Sequence, residues 1–129
     1  SNDPICLSII NVDLGAQTLE IHMVNSEEVA AFQFRIDGIT EITNASGGTS
    51  ETNNFDVVFS GNAYQGSSAT KLYGSSFSDN IIPPGSGTLV KVAFEGIHEN
   101  YSEICLQTVI ITDSQANEIV YEKNCYDIP

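Results

Sequence analysis

Glu28-Val29-Ala30-Ala31-Phe32-Gln33-Phe34-Arg35-Ile36-Asp37-Gly38 decides the fold. Phe32, Phe34 and Ile36 alternate with Gln33, Arg35 and Asp37, the period-2 signature of a strand with one buried and one wet face. Gly38 closes the segment. Working outward, the same alternation recurs. Leu19, Ile21 and Met23 alternate with Glu20, His22 and Val24. Phe55, Val57 and Phe59 share one face, and Val90, Val92 and Phe94 share another.

Further strands are expected at 4–13, around the apolar run 5–10, at 40–44 as a short piece, and at 70–77, where Gly74 weakens or kinks the strand. Two more are expected at 103–111 and 118–125. Residues 45–54 and 60–68 are rich in Ser, Gly, Asn and Thr and read as loops. Ile82-Pro83-Pro84-Gly85-Ser86-Gly87 reads as a turn, because neither proline can donate to a ladder. No stretch shows a 3.6 period. The chain therefore reads as all-β, a two-sheet antiparallel sandwich of eight or nine strands in one domain, 1–129.

Composition narrows the function. Lys and Arg total 4 against 17 Asp and Glu, a formal net charge of −13. Such a surface repels phosphate backbones and anionic lipid, which disfavours nucleic-acid and membrane-surface partners. No apolar run approaches the ~20 residues of a membrane span, so membrane insertion is not expected.

Cys105 and Cys125 flank the turn-rich stretch 113–117. In a hairpin symmetric about Gln115 they fall opposite one another, close enough to bridge with small adjustment. A disulfide is expected here, implying an oxidising, extracytoplasmic setting. The alternative is two buried thiols filling core space. Cys6 is left over and reads as a free core thiol on the first strand.

Catalytic chemistry finds little support. His22 and His98 lie far apart, without the neighbours of a metal motif. Glu27-Glu28 is the only adjacent acidic pair, and neighbouring side chains on an extended segment point apart. No nucleophile elbow occurs. No enzyme activity and no resident cofactor are expected. Calcium is the first metal to test, with Asp13, Glu41, Glu51 and Asp79 as loop oxygen donors. Tyr64, Tyr73 and Tyr101 are the candidate exposed aromatics for polysaccharide binding, although Trp is absent. Asn44-Ala45-Ser46 and Asn100-Tyr101-Ser102 are glycosylation sequons that matter only in a eukaryotic secretory route.

The order of elements resembles the cohesin domains. The carriers are the opening strand leading into 20–25, the segment 29–37, and Ile82-Pro83-Pro84-Gly85-Ser86-Gly87-Thr88-Leu89-Val90-Lys91-Val92-Ala93-Phe94, which is similar to a glycine-led strand late in that fold. The resemblance implies a nine-stranded jelly roll within a larger secreted or cell-surface protein. It implies a non-catalytic module that binds a dockerin-like or other protein module through one sheet face. Transferred by position, that face comprises Gln33, Arg35, Asp37, Asp56, Val58, Lys71, Tyr73, Gln107 and Val109. Ala31 and Gln33 stand where the best-known cohesin class often has Asn and Asp. Carbohydrate-binding modules share much of the architecture, so a sugar-binding module and a structural spacer are the alternatives.

Overall fold

In the computed structural model, which describes residues 4–59, 70–76, 78–97 and 99–129, the alternating segments form ten strands and one short helix. The strands are β1 (Ile5–Asp13), β2 (Thr18–Asn25), β3 (Ala31–Asp37), β4 (Ile39–Ser46), β5 (Asp56–Phe59), β6 (Lys71–Ser75), β7 (Gly85–Ile97), β8 (Glu103–Thr112), β9 (Tyr121–Asn124) and β10 (Tyr126–Asp127). The helix α1 spans Gly48–Thr52, between β4 and β5. One sheet runs β4-β7-β2-β1-β9 and the other β10-β8-β3-β6-β5. All pairings are antiparallel except β1 with β9. The loop expected at 60–68, with Tyr64, and His98 lie outside the described residues.

Alternation sets what each sheet buries. Ile5, Leu7 and Ile9 of β1, and Leu19, Ile21 and Met23 of β2, face inward from one sheet. Phe32, Phe34 and Ile36 of β3, with Leu72, Ile104, Leu106 and Ile111, face them from the other. Phe32 stacks on Phe34 and Phe55, with ring centroids 5.8 and 6.2 Å apart. Gly74 lies directly opposite Phe32 in the ladder, and a Cβ there would overlap the Phe32 ring. The glycine thus weakens its own strand in order to seat an aromatic on it. Gly38 carries the chain from one sheet to the other with φ +104°, where a Cβ would meet the Glu103 carbonyl.

Four expectations are corrected. Residues 45–54 are not wholly loop, because β4 extends to Ser46 and 48–52 form α1. The helix has no apolar period. It is held from outside, by the buried Ser50 hydroxyl donating to the Leu89 carbonyl and by Glu51 Oε1 accepting the Gly47 N–H at 3.1 Å. The Pro-Pro turn is shorter than expected. Ile82 already exchanges two backbone hydrogen bonds with Val29, and β7 begins at Gly85, immediately after Pro84. Asn25 fixes this corner by donating its amide to the Glu27 and Pro83 carbonyls at 2.8 and 3.0 Å.

The third correction concerns the final strand, and it raises the count to ten. Pairing symmetric about Gln115 holds at both ends. Thr112 opposes Glu118, and Tyr126 and Asp127 oppose Ile104 and Glu103. Between them, 121–124 leave β8 and run parallel to β1 in the other sheet as β9. Lys123 answers the gap this opens, donating from Nζ to the Leu106 carbonyl (2.6 Å) and to Gln107 Oε1 (3.1 Å). One segment therefore serves both sheets and closes that side of the sandwich. Cys105 and Cys125 are joined by a disulfide, Cα to Cα 4.6 Å, where the chain returns to β8. Cys6 is a free thiol, but it takes an outward position on β1, half-buried, not a core one.

Candidate functional site

The outward residues of β8, β3, β6 and β5 form a grid whose rungs are set by the register. One rung is Ile110, Gln33, Tyr73 and Val58. The next is Gln107, Arg35 and Lys71, followed by Cys105 and Asp37. On the far side of the first rung, Ala31 pairs with Ser75, which pairs with Asp56. Eight of the nine residues expected on this face are thus on it. Val58 and Tyr73 are directly paired and are 60% and 39% exposed.

Val109 is the exception. It is 7% exposed and packs in the core. The cause is a bulge. Between the pairs Gln33–Ile110 and Arg35–Gln107, the single β3 residue Phe34 faces both Thr108 and Val109, and Thr108 adopts φ 53°. The extra residue flips the parity of β8, so Ile110 takes the outward place that simple alternation gives to Val109. Thr108 is pushed out beside Arg35 and Lys71. No glycine or proline marks this bulge, so the sequence holds no signal for it.

Arg35 and Asp37, two apart on one strand and therefore on one face, form a bidentate ion pair. Nε donates to Oδ1 at 2.7 Å and Nη2 to Oδ2 at 3.2 Å. The hydrogen bonds to Asp37 raise the Arg35 pKa above its ordinary value, with burial opposing and the charges of Asp37 and Tyr101 adding. Lys71, opposite Arg35, has no ion pair among the described residues.

Among the described residues, two depressions lie on this side. A dimple of about 10 Å³ is lined by Gln33, Phe34, Arg35, Lys71, Tyr73 and Thr108. At the end of the face, an open groove of about 280 Å³ is lined by Asp37, Asn100, Tyr101, Glu103, Cys105 and Gln107, among others. Glu103 and the two cysteine sulfurs lie within 4.8 Å of one another, but the sulfurs are spent in the bridge and offer no thiolate to a cation. The four loop carboxylates considered for calcium sit on separate elements: Asp13 at the end of β1, Glu41 on β4, Glu51 in α1 and Asp79 before β7.

This architecture defines the class: the chain has a cohesin-like fold. Among solved structures it is similar to a non-cellulosomal cohesin from the hyperthermophilic archaeon Archaeoglobus fulgidus, at 15% identity and TM-score 0.60, covering 98% of this chain and 92% of that one. It is also similar to the Coh-OlpA–Doc918 cohesin–dockerin complex of Clostridium thermocellum, at 11% identity and TM-score 0.62, covering 98% and 100%. A third is the sixth cohesin of Acetivibrio cellulolyticus scaffoldin B, solved with a Cel5 dockerin, at 14% identity and TM-score 0.60, covering 98% and 100%. No family model matches the chain, and no curated protein matches it significantly.

Proposed function

We propose that this domain is a non-catalytic protein-interaction module of cohesin type, displayed outside the cell, that docks a dockerin-like or other protein module on the outer face of β8-β3-β6-β5. The observation that carries this reading is the rung Ile110–Gln33–Tyr73–Val58. It is a strip with exposed aliphatic and aromatic side chains at Val58 and Tyr73, bordered by charge, on a sheet whose other face packs against the core. Apolar anchors within a polar rim are the anatomy of a protein interface. The solved relatives give it context, since two of them were crystallised with dockerins. The disulfide supports an oxidising, extracellular setting.

Polysaccharide binding is the second reading, and the groove at Tyr101 favours it, with a ring beside Asp37, Asn100 and Gln107. Against it, the described tyrosines are spread over β6, the β7–β8 connection, β9 and β10, and build no continuous platform. A spacer role would leave the exposed Val58–Tyr73 pair without purpose.

The test is capture of partners from the source organism's secreted fraction, with a glycan array run on the same labelled domain. A protein retained by the wild type and lost on Tyr73→Ala supports the docking face. Glycan binding without a protein partner would move the domain to the sugar-binding class.

A further inference from the structure

The charge on the docking face is arranged against the trend of the whole chain. The protein has four cations, Arg35, Lys71, Lys91 and Lys123, against 17 carboxylates. Two of the four, Arg35 and Lys71, stand directly opposite one another on adjacent strands. A third, Lys123, reaches the same rung through Gln107. Like charges placed opposite in a ladder destabilise it. Asp37 answers Arg35 alone. Residues 60–69, which precede β6 in sequence, contain no Asp or Glu.

The dimple lies between these two cations. Gln33, Tyr73 and Thr108 surround it, and none of their side chains, nor that of Lys71, makes a hydrogen bond among the described residues. Arg35 spends two of its five N–H groups on Asp37 and keeps three. Every polar side chain at the rim thus holds a donor available for exchange with water. The β8 bulge brings Thr108 to it. At about 10 Å³ the dimple holds one water-sized group. That suits a single oxygen atom, such as one of a carboxylate.

We infer that the dimple bounded by Arg35, Lys71, Gln33, Tyr73 and Thr108 receives an Asp or Glu side chain of the docked protein, set beside aliphatic residues that cover Tyr73, Val58 and Ile110. This inference rests on the docking reading and specifies the partner's chemistry. A carboxylate there bridges Arg35 and Lys71 and relieves their mutual repulsion only in the complex. The acidic remainder of the surface steers a partner that is basic at its margins. The preferred partner is therefore basic at the rim and acidic at one central point.

The experiment selects peptides from a displayed random library on the wild-type domain, with counter-selection on Tyr73→Ala. Selected peptides are then assayed on wild type, Lys71→Glu and Tyr73→Ala, each checked for native unfolding. Expected are peptides with an Asp or Glu next to aliphatic residues, weakened roughly tenfold or more when that acid becomes its amide or when Lys71 becomes Glu. An Asp→Lys peptide should recover binding on Lys71→Glu. Peptides that need Tyr73 but tolerate both charge changes would overturn the inference and leave the docking face standing. Failure to recover any Tyr73-dependent peptide would count against the docking face itself. Inorganic phosphate displacing the peptides at lower concentration than acetate would overturn the choice of a carboxylate.

Discussion

On the outer face of β4-β7-β2-β1-β9, short polar side chains answer one another across the strands. Ser8, His22 and Thr88 share a rung. Thr88 donates to Glu20 Oε1 at 2.7 Å, and Asn124 donates to Ser8 Oγ at 3.3 Å. Glu20 stands opposite Lys91, a pair of opposite sign. The outer face of β8-β3-β6-β5 is built on the same alternation but inverts this chemistry. It sets two cations side by side, leaves their neighbours' donors without internal partners and exposes Val58 against Tyr73. One face pairs several of its polar groups across the strands. The other leaves the donors of Gln33, Lys71, Tyr73 and Thr108 without hydrogen bonds among the described residues and exposes Val58 and Tyr73, as the docking proposal requires. Because both faces come from one period-2 code, what separates them is cross-strand pairing, not composition.

The largest expected effect tests how each face is anchored. The disulfide ties β8 to the junction between β9 and β10, closing a 20-residue separation. Its removal by Cys105→Ala with Cys125→Ala should cost about 3 kcal/mol of unfolding free energy. Cys6→Ala, on the opposite face, should stay within about 1 kcal/mol of wild type. Denaturant titration of both variants measures the contrast, and equal losses would refute it. Intact mass before and after reduction checks the bridge itself.

Next comes the packing beneath each sheet. A methyl at Gly74 drives into the Phe32 ring, which is already stacked on Phe34 and Phe55. Gly74→Ala should destabilise by about 1–3 kcal/mol. A Cβ at Gly85, in the other sheet, meets nothing within 4 Å, so Gly85→Ala should shift stability by no more than about 0.5 kcal/mol. Thermal unfolding of the pair suffices, and a tolerated Gly74→Ala would mean that the ring has room to move.

The sharpest contrast lies in two valines of similar exposure on opposite faces. Val58 is 60% exposed on the docking sheet and Val24 45% exposed on the other. Neither Val58→Asp nor Val24→Asp should change stability by more than about 0.5 kcal/mol. Binding of a captured partner should fall about tenfold or more with Val58→Asp, as expected of an interface anchor, and remain unchanged with Val24→Asp. Equal loss with both would point to a general charge effect. Loss with Val24→Asp alone would move the interface to the other face.

Much of this comparison is legible in the chain. The alternation of 32–37 orients Gln33 and Arg35, and that of 55–59 orients Val58, because period and side are linked in any strand. The bridge follows from spacing about Gln115. What fails to show has a common cause, since it depends on partners distant in sequence. The bulge at Thr108 exchanges Val109 for Ile110, yet a non-glycine residue at positive φ leaves no local mark. The departure of 121–124 to β1 is set by the open edge of the other sheet, not by the segment's own residues. Helix α1 depends on Leu89, 39 positions away from Ser50.

The smallest effect concerns the turn from which the final segment departs to serve both sheets. Asp113 Oδ1 accepts the Gln115 and Asn117 N–H groups at 2.9 and 3.0 Å. The turn after β1 is led by Asp13, whose carboxylate accepts the Ala16 N–H and whose carbonyl accepts that of Gln17. There Gln17 also clamps β7, accepting from Gly96 and Phe94. The Asp113 turn has its own backbone bonds, Ala116 N–H to the Asp113 carbonyl and Asp113 N–H to the Asn117 carbonyl, and its carboxylate accepts two N–H groups where that of Asp13 accepts one. The Asn117 and Gln115 N–H groups, in that order, lower the Asp113 pKa below the ordinary carboxylate value. A depressed folded-state pKa means that the stabilisation is complete above the unfolded pKa and disappears as pH falls through the folded one. Asp113→Ala should therefore lower the unfolding midpoint slightly at neutral pH, with the gap to wild type closing on acidification. The surface position of this half-buried residue keeps the effect small. Unfolding midpoints measured across the acid range decide it. A gap independent of pH would show that the side chain acts through turn geometry alone, and that ionisation at this junction does nothing to hold the two sheets to a common strand.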